Sequence, residues 1–141
     1  MIDSAPAALN TLNELAAALG DDENFAATVT TNLALKVDSL TPITQKSESY
    51  TLSTLDHRDD LIEMGSSSAL TLTIPLNSSI AYPVGTSLDI LQTGTGQVTV
   101  AGDAGVTVNA TPGLKLRTQW SSATLLKRAE DTWVVYGDLT A

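Results

Sequence analysis

The chain has 141 residues, of which 16 are acidic and 7 are basic, giving a formal net charge of −9. Hydrophobic residues make up 43%, enough for a packed core, whereas the acidic balance excludes a basic nucleic-acid-binding surface. The absence of cysteine and the single histidine exclude thiolate chemistry and leave few groups for catalysis, so we predict no enzymatic activity and no cofactor.

No segment has the character of a membrane span or of a cleaved secretion signal. Residues 1–4 contain no basic region, and the longest early apolar run is residues 15–19. That run is far shorter than the ~20 residues that cross a bilayer. We therefore expect a protein made in the cytosol, with no membrane insertion.

Residues 1–38 are predicted to form an αα-hairpin. In the first helix, apolar residues recur at steps of three and four, as one helix face requires: Leu9, Leu12, Ala16 and Leu19. Gly20 follows as a C-terminal stop, and Asp21 or Asp22 is suited to cap the second helix. The stripe of the second helix has steps of four: Phe25, Val29 and Leu33.

Both apolar stripes are narrow, and helices of roughly 13 residues are marginal on their own. Association with further copies would supply the missing burial, and the first stripe has coiled-coil spacing. We therefore predict a self-association interface in the hairpin formed by Leu9, Leu12, Leu19, Phe25, Val29 and Leu33. The alternative is that the hairpin packs on the rest of its own chain.

Residues 39–48 contain Pro42 and several hydroxyl side chains but no periodic pattern, so we predict a linker. In residues 49–141 the apolar period changes to two, in short runs separated by Gly, Pro, Asn, Asp or Ser. Residues 70–74, 98–100 and 133–136 are typical runs. The pattern predicts a mainly β domain, which we expect to be a small antiparallel β-sandwich or a barrel-like knob.

An eight-residue spacing relates two sets of apolar residues in this domain, Val98, Val106, Leu114 and Val100, Val108, Leu116. We interpret it as a three-stranded meander with short turns. A β-solenoid is the alternative, although that architecture calls for more copies of the repeat.

The β-domain sequence is also poor in charge. Between residues 64 and 126 the charged residues are Asp89, Asp103, Lys115 and Arg117, and Ser and Thr fill the other polar positions. Because β-domains commonly protect edge strands with charge, we expect this domain to cover its edges by closed self-association.

The densest polar cluster is residues 56–60, which include His57. We interpret this cluster as a solvated loop. The alternatives are a metal site around His57 and a pair of carboxylates that cleaves a polysaccharide. The carboxylates available to such a pair are Asp89, Asp103 and those in and beside the cluster, Asp56, Asp59, Asp60 and Glu63. The Gly94–Gly96 spacing lacks the third glycine and the following helix of a nucleotide-binding loop.

Five of the six aromatic residues lie in the β-domain: Tyr50, Tyr82, Trp120, Trp133 and Tyr136. Exposed Trp and Tyr rings can stack on sugars and would suit a glycan receptor. We nevertheless expect Trp120 and Trp133 to be core or subunit-interface residues.

Two parts of the sequence resemble bacteriophage tail fibre proteins. Residues 2–30 resemble the helical module of these fibres almost continuously. The stretches that carry the resemblance are IDSAPAALNTLNELAAALGDD at 2–22, NFA at 24–26 and TVT at 28–30. The later part of the chain resembles a small β-domain near the C-termini of phage structural and fibre proteins. The stretches that carry this resemblance are YTL at 50–52, LTIP at 72–75, PVGT at 83–86 and WVVYGDL at 133–139.

The resemblance implies a homotrimeric fibre in the virion, made in the host cytoplasm, attached through its N-terminal end and presenting a C-terminal knob. Its implied partners are further copies of the chain, other phage tail or baseplate proteins and a host surface receptor, with a glycan as a candidate. We expect the loops at 77–83, 93–97 and 103–105 to face that receptor. A purely structural fibre, collar or baseplate component is the alternative. Because fibre chains are usually longer, we expect a small accessory fibre or the C-terminal piece of a longer one.

Overall fold

The computed structural model describes residues 25–36, 40–56 and 60–141. These residues fall into two units that divide at Leu40 and Thr41. The first contains helix α1, Phe25–Lys36, which corresponds to the second predicted helix. The first predicted helix lies outside the described residues. Of the helical residues that are described, no run is both long and apolar enough to cross a membrane.

The second unit is built from β-strands. In the described part these are β1 Ile43–Lys46, β2 Tyr50–Thr51, β3 Leu61–Met64, β4 Leu70–Ile74, β5 Ser87–Gln92, β6 Val98–Gly102, β7 Thr107–Ala110, β8 Lys115–Leu116, β9 Ser122–Ala129, β10 Thr132–Gly137 and β11 Leu139–Thr140. Sheet A has the order β1-β3-β5-β9-β10-β7, and sheet B has the order β11-β8-β6-β4-β2. Strand β1 lies inside the stretch predicted as a linker, 39–48, and pairs with β3.

The first six strands wind as the coils of a β-solenoid. Strands β1, β3 and β5 pair in parallel in sheet A, and β2, β4 and β6 pair in parallel in sheet B. Each coil therefore contributes one strand to each sheet. The remaining strands form a cap, in which β9 pairs antiparallel with β5 and β10, and β8 pairs antiparallel with β6 and β11. The chain is mainly β, as predicted, but the predicted antiparallel sandwich or barrel is wrong.

The error has a physical cause. Alternation with a period of two identifies the buried face of a strand, but it does not fix the direction of the neighbouring strand. The predicted meander is also wrong, because β6 and β8 lie in sheet B whereas β7 lies in sheet A. The true repeat is the coil, which places Leu72 of β4 beside Val100 of β6.

The core lies between the two sheets and is filled from alternate strand positions. Ile62 and Ile90 are paired neighbours in sheet A, and both side chains are fully buried. Trp133 of β10 is also buried and packs edge-on against Tyr82, with ring centroids 5.8 Å apart. The expectation that Trp133 is a core residue is therefore confirmed.

The turns that join the two sheets within successive coils stack on one another. Gly96 N donates to Ser66 O at 2.8 Å, which holds the turn at 93–97 on the turn at 65–69. A Cβ at Gly94 would lie 2.1 Å from Ser66 O, and one at Gly96 would lie 1.9 Å from Ser68 O. The two glycines thus permit close approach of the backbones. The loop at 93–97, predicted to face a receptor, is covered on one side by this stacking.

Candidate functional site

The predicted self-association residues are only partly described. Leu9, Leu12 and Leu19 lie outside the described residues, and Phe25 begins α1. Val29 and Leu33 lie four residues apart on α1, with 36% and 54% of their surfaces exposed. Their exposure leaves an apolar stripe on this helix that could contact another chain.

The predicted receptor-facing loop at 77–83 is anchored to the cap. Lys127 is buried, and its Nζ donates to Asn77 Oδ1 at 2.5 Å and to the carbonyl oxygen of Tyr82 at 2.7 Å. Asp131 Oδ1 accepts a hydrogen bond from Asn77 N at 2.7 Å. The hydroxyl of Tyr82 donates to the carbonyl oxygen of Ser53. Both ends of this loop are therefore fixed by the interior rather than free to adapt to a ligand.

A groove of about 710 Å³ lies beside the same loop and is lined by Thr54, Asp56 and residues 79–86. Its polar side chains already bond within the protein: Asp56 Oδ2 accepts from Tyr50 Oη at 2.8 Å and from Ser53 N at 2.6 Å. Burial and the nearby Asp56 carboxylate raise the pKa of Tyr82 above its usual range. The arrangement keeps the Tyr82 phenol protonated and stabilises the turn at 53–56.

Of the carboxylates predicted for a catalytic pair, Asp56 and Asp60 are buried, and both add to the effect of burial in raising the pKa of Tyr82. Asp56 is the one carboxylate lining the groove among the described residues, and Glu63 accepts a hydrogen bond from Gln45 on sheet A. His57 and Asp59 lie outside the described residues. Within those that are described, no group of three or more histidine or acidic residues is placed to hold a metal.

The outward faces of the two sheets differ in their chemistry. The outward positions of sheet A are mixed. Ile43, Leu61, Leu91, Leu126, Val134 and Tyr136 are apolar, whereas Gln45, Glu63, Ser87, Asp89, Thr107, Asn109, Ser122 and Thr124 are polar or charged. The outward positions of sheet B are mostly threonine: Thr51, Thr71, Thr73, Thr99, Ala101, Lys115 and Thr140. Of the six apolar side chains, Ile43 and Tyr136 are exposed, and three strands separate β1 from β10 in the sheet.

Trp120 is the clearest candidate for ligand contact. Its surface is 67% exposed, so it is not a core residue, and the other expectation for it, a subunit-interface residue, stays a prediction. Its backbone has φ 68°, and it is the one non-glycine residue with positive φ in the described part of the chain. This conformation costs a bulky L-residue on the order of 1 kcal/mol, and such residues concentrate at functional sites.

Hydrogen bonds within the cap and to the third coil, which consists of β5 and β6, hold Trp120 in this conformation. Its backbone N–H donates to Gln92 O at 2.7 Å, and the next residue, Ser121, accepts from Gln92 N at 3.0 Å. Ser121 N donates to Thr118 O at 3.0 Å, and its hydroxyl accepts from Thr118 N at 3.1 Å. Gln119 Nε2 donates to the carbonyl oxygen of Thr93 at 2.9 Å.

A charged pair closes the same turn. Arg117 Nε donates to Asp138 Oδ1 at 2.7 Å, and Nη2 donates to Oδ2 at 2.9 Å, while Ser121 Oγ donates to Oδ2 at 2.6 Å. The hydrogen bonds from Arg117 and Ser121 lower the pKa of Asp138, and the carboxylate raises the pKa of Arg117. Both side chains remain partly exposed, at 62% and 40%, so they can also contact a ligand.

Sequence reasoning named Trp120 but assigned it to the core or an interface. The available signal was its setting, because residues 117–122 break the period-two alternation and carry hydroxyl and charged side chains. The positive φ and the Arg117–Asp138 pairing carry no sequence signal, since they depend on contacts with β5 and with the segment between β10 and β11.

No protein-family model matches the chain. A protein described as a probable tail fiber protein, from Escherichia phage P2, is 69% identical to the chain over 36 residues. The match covers 26% of this chain and only 5% of the length of that relative. The predicted resemblance to phage tail fibre proteins is therefore confirmed over those 36 residues, whereas the resemblance predicted for the β-domain stays a prediction.

Proposed function

We propose that the chain is a virion component of a phage tail fibre that attaches to the host cell surface by binding, without catalysis. The observation that carries the proposal is the 69% identity to a probable tail fiber protein of Escherichia phage P2 over 36 residues. The exposed Trp120, held on a hydrogen-bonded turn, supports contact with a ligand at the surface of the β-domain.

The proposal includes assembly as a homotrimer, with other phage tail or baseplate proteins as further partners. Val29 and Leu33 support it, because they form an exposed apolar stripe on α1. Two exposed apolar side chains on the otherwise mixed outward face of sheet A support it as well: Ile43 and Tyr136 are 59% and 51% exposed. A trimer would present three binding sites, and linked weak sites gain orders of magnitude in avidity.

The non-catalytic part of the proposal is supported by the groove beside Tyr82. Asp56 and Tyr82 both use their polar atoms to bond within the protein, so the groove does not offer a set of converging reactive groups. The groove therefore has the character of a structural cleft between the loop at 79–86 and the turn at 53–56.

A purely structural virion component remains the second candidate. The threonine-rich outward face of sheet B favours it, because that face carries neither the aromatic side chains nor the charged clusters that usually dominate binding energy. The two candidates differ in a single property, which is whether the protein binds the host surface.

The test is adsorption of the labelled full chain to Escherichia cells, the host genus of the phage that carries the matched relative. Saturable adsorption that the unlabelled chain competes away supports host attachment. Absence of adsorption to every strain in an enterobacterial panel overturns it and favours the structural candidate.

The trimer is tested on the same preparation by light scattering at two protein concentrations. A mass of three chains is expected at both. Replacing Val29 and Leu33 by Asp should reduce the mass and the adsorption together, whereas the control Thr31→Asp, at another exposed position of α1, should change neither. A wild-type chain that is monomeric at both concentrations contradicts the trimer.

A further inference from the structure

We infer, on the basis of the proposed host attachment, that Trp120 is a stacking platform for a neutral hexopyranose on the host surface. At 67% exposure, its indole is the most exposed of the described aromatic side chains. The C–H-rich face of a pyranose ring packs on an indole face through dispersion and through the negative quadrupole of the aromatic ring.

The backbone conformation of Trp120 indicates that its side chain serves to contact a ligand and is not required by the turn. A turn residue with φ 68° is most readily glycine or asparagine, because neither carries the steric penalty of a bulky side chain there. Trp120 instead combines the unfavourable conformation with an exposed indole. The hydrogen bonds to Gln92 fix its backbone, so no backbone entropy has to be lost when a ligand stacks on the ring.

The same turn also provides polar groups suited to sugar hydroxyls. Arg117 and Asp138 form a planar, partly exposed pair, which offers N–H donors and carboxylate acceptors side by side. Neighbouring hydroxyls of a pyranose act as both donors and acceptors, so they match such a pair.

The charge of the site selects between neutral and anionic sugars. Arg117 is neutralised by Asp138, and the chain as a whole carries a net charge of −9. Phosphorylated sugars and uronic acids would be repelled by this field, whereas a neutral hexose would not. The site therefore favours neutral hexoses.

The test titrates neutral glucose, galactose and mannose oligosaccharides into the full chain and follows its two indole N–H signals by NMR. The signal of Trp120 should shift on binding, and the signal of buried Trp133 should not. A panel of uronic-acid and phosphorylated oligosaccharides is titrated in parallel, and binding of these in preference to the neutral sugars would contradict the inference.

Three variants distinguish a side chain that contacts the sugar from one that only stabilises the fold. Trp120→Gly should weaken binding about tenfold or more, while its denaturation midpoint stays constant or rises because glycine adopts this φ readily. Trp120→Phe retains an aromatic face and should bind within severalfold of wild type. Thr51→Ala changes an exposed side chain on the outward face of sheet B and should leave the affinity unchanged.

Several results would overturn the assignment: no shift of the Trp120 signal with any neutral sugar, a lower denaturation midpoint for Trp120→Gly, or dissociation of the native oligomer by that substitution. Cell adsorption distinguishes this inference from the proposed function. Undiminished adsorption of Trp120→Gly overturns the site and leaves host attachment standing. Sugar binding through Trp120 in a chain that adsorbs to no cells supports the site and overturns host attachment.

Discussion

The two tryptophans lie in opposite settings within one small domain. Trp133 is 1% exposed and packs against Tyr82 between the sheets, whereas Trp120 is 67% exposed on a turn at the start of β9. Trp133 occupies an inward position of β10 within the hydrophobic core, whereas Trp120 lies on a turn that hydrogen bonds to Gln92 hold outside that core. The comparison teaches that here the position in the fold, and not side-chain hydropathy, decides which aromatic residue reaches solvent.

The largest expected effect comes from removing the buried ring. Trp133→Ala should lower the free energy of unfolding by about 3–5 kcal/mol, because it leaves a cavity between the sheets and removes the contact with Tyr82. Trp120→Ala should change the same quantity by about 0.5 kcal/mol or less. Urea denaturation of both variants measures the difference, and equal losses would contradict the comparison.

The second-largest loss in the free energy of unfolding is expected from the buried amine of Lys127. Lys127→Met should cost about 1–3 kcal/mol, because Asn77 Oδ1 and the Tyr82 carbonyl oxygen lose a common donor inside the protein. The control is Arg128→Met, since the next residue of β9 is exposed. If both variants unfold at the same urea concentration, the buried amine does not anchor the loop at 77–83.

The stacked turns provide a third comparison, which concerns the coils and not the cap. Gly96→Ala should cost about 1–3 kcal/mol, because its Cβ would fall 1.9 Å from the backbone oxygen of Ser68. Thr95→Ala, at the exposed neighbouring position, should be nearly neutral. Thermal melting of the two variants checks the prediction, and a neutral Gly96→Ala would mean that the turns do not stack this closely.

The sequence predicted the buried positions better than their arrangement. Alternation correctly identified Leu70, Leu72, Val98 and Val100 as inward-facing, because a strand with one buried face must alternate. It could not identify the parallel pairing of Leu72 with Val100, since direction depends on how the chain returns between strands. The eight-residue spacing was consistent with a meander, yet it joins strands of different sheets.

The candidate site was less predictable than the core. Arg117 and Asp138 are separated by 21 residues and come together where β8 pairs with β11, which places Leu116 opposite Leu139. The glycines at 94 and 96 were considered only as part of a nucleotide-binding loop, whereas the structure places them against Ser66 and Ser68 of the preceding coil. Contacts of this kind between distant segments leave no local pattern in the sequence.

The smallest expected effect concerns the charged pair that supports Trp120. Because hydrogen bonds from Arg117 and Ser121 lower the pKa of Asp138 in the folded chain, its stabilising contribution is complete above the ordinary Asp pKa of about 3.9 and is lost as the pH falls through the lowered value. The denaturation midpoint of wild type should therefore fall slightly more than that of Asp138→Asn between about pH 6 and about pH 2. The difference should be small, since exposed ion pairs contribute little. A larger acid loss in Asp138→Asn than in wild type would contradict this sign, and iodide quenching of Trp120 fluorescence over the same range would show whether the turn loosens with it.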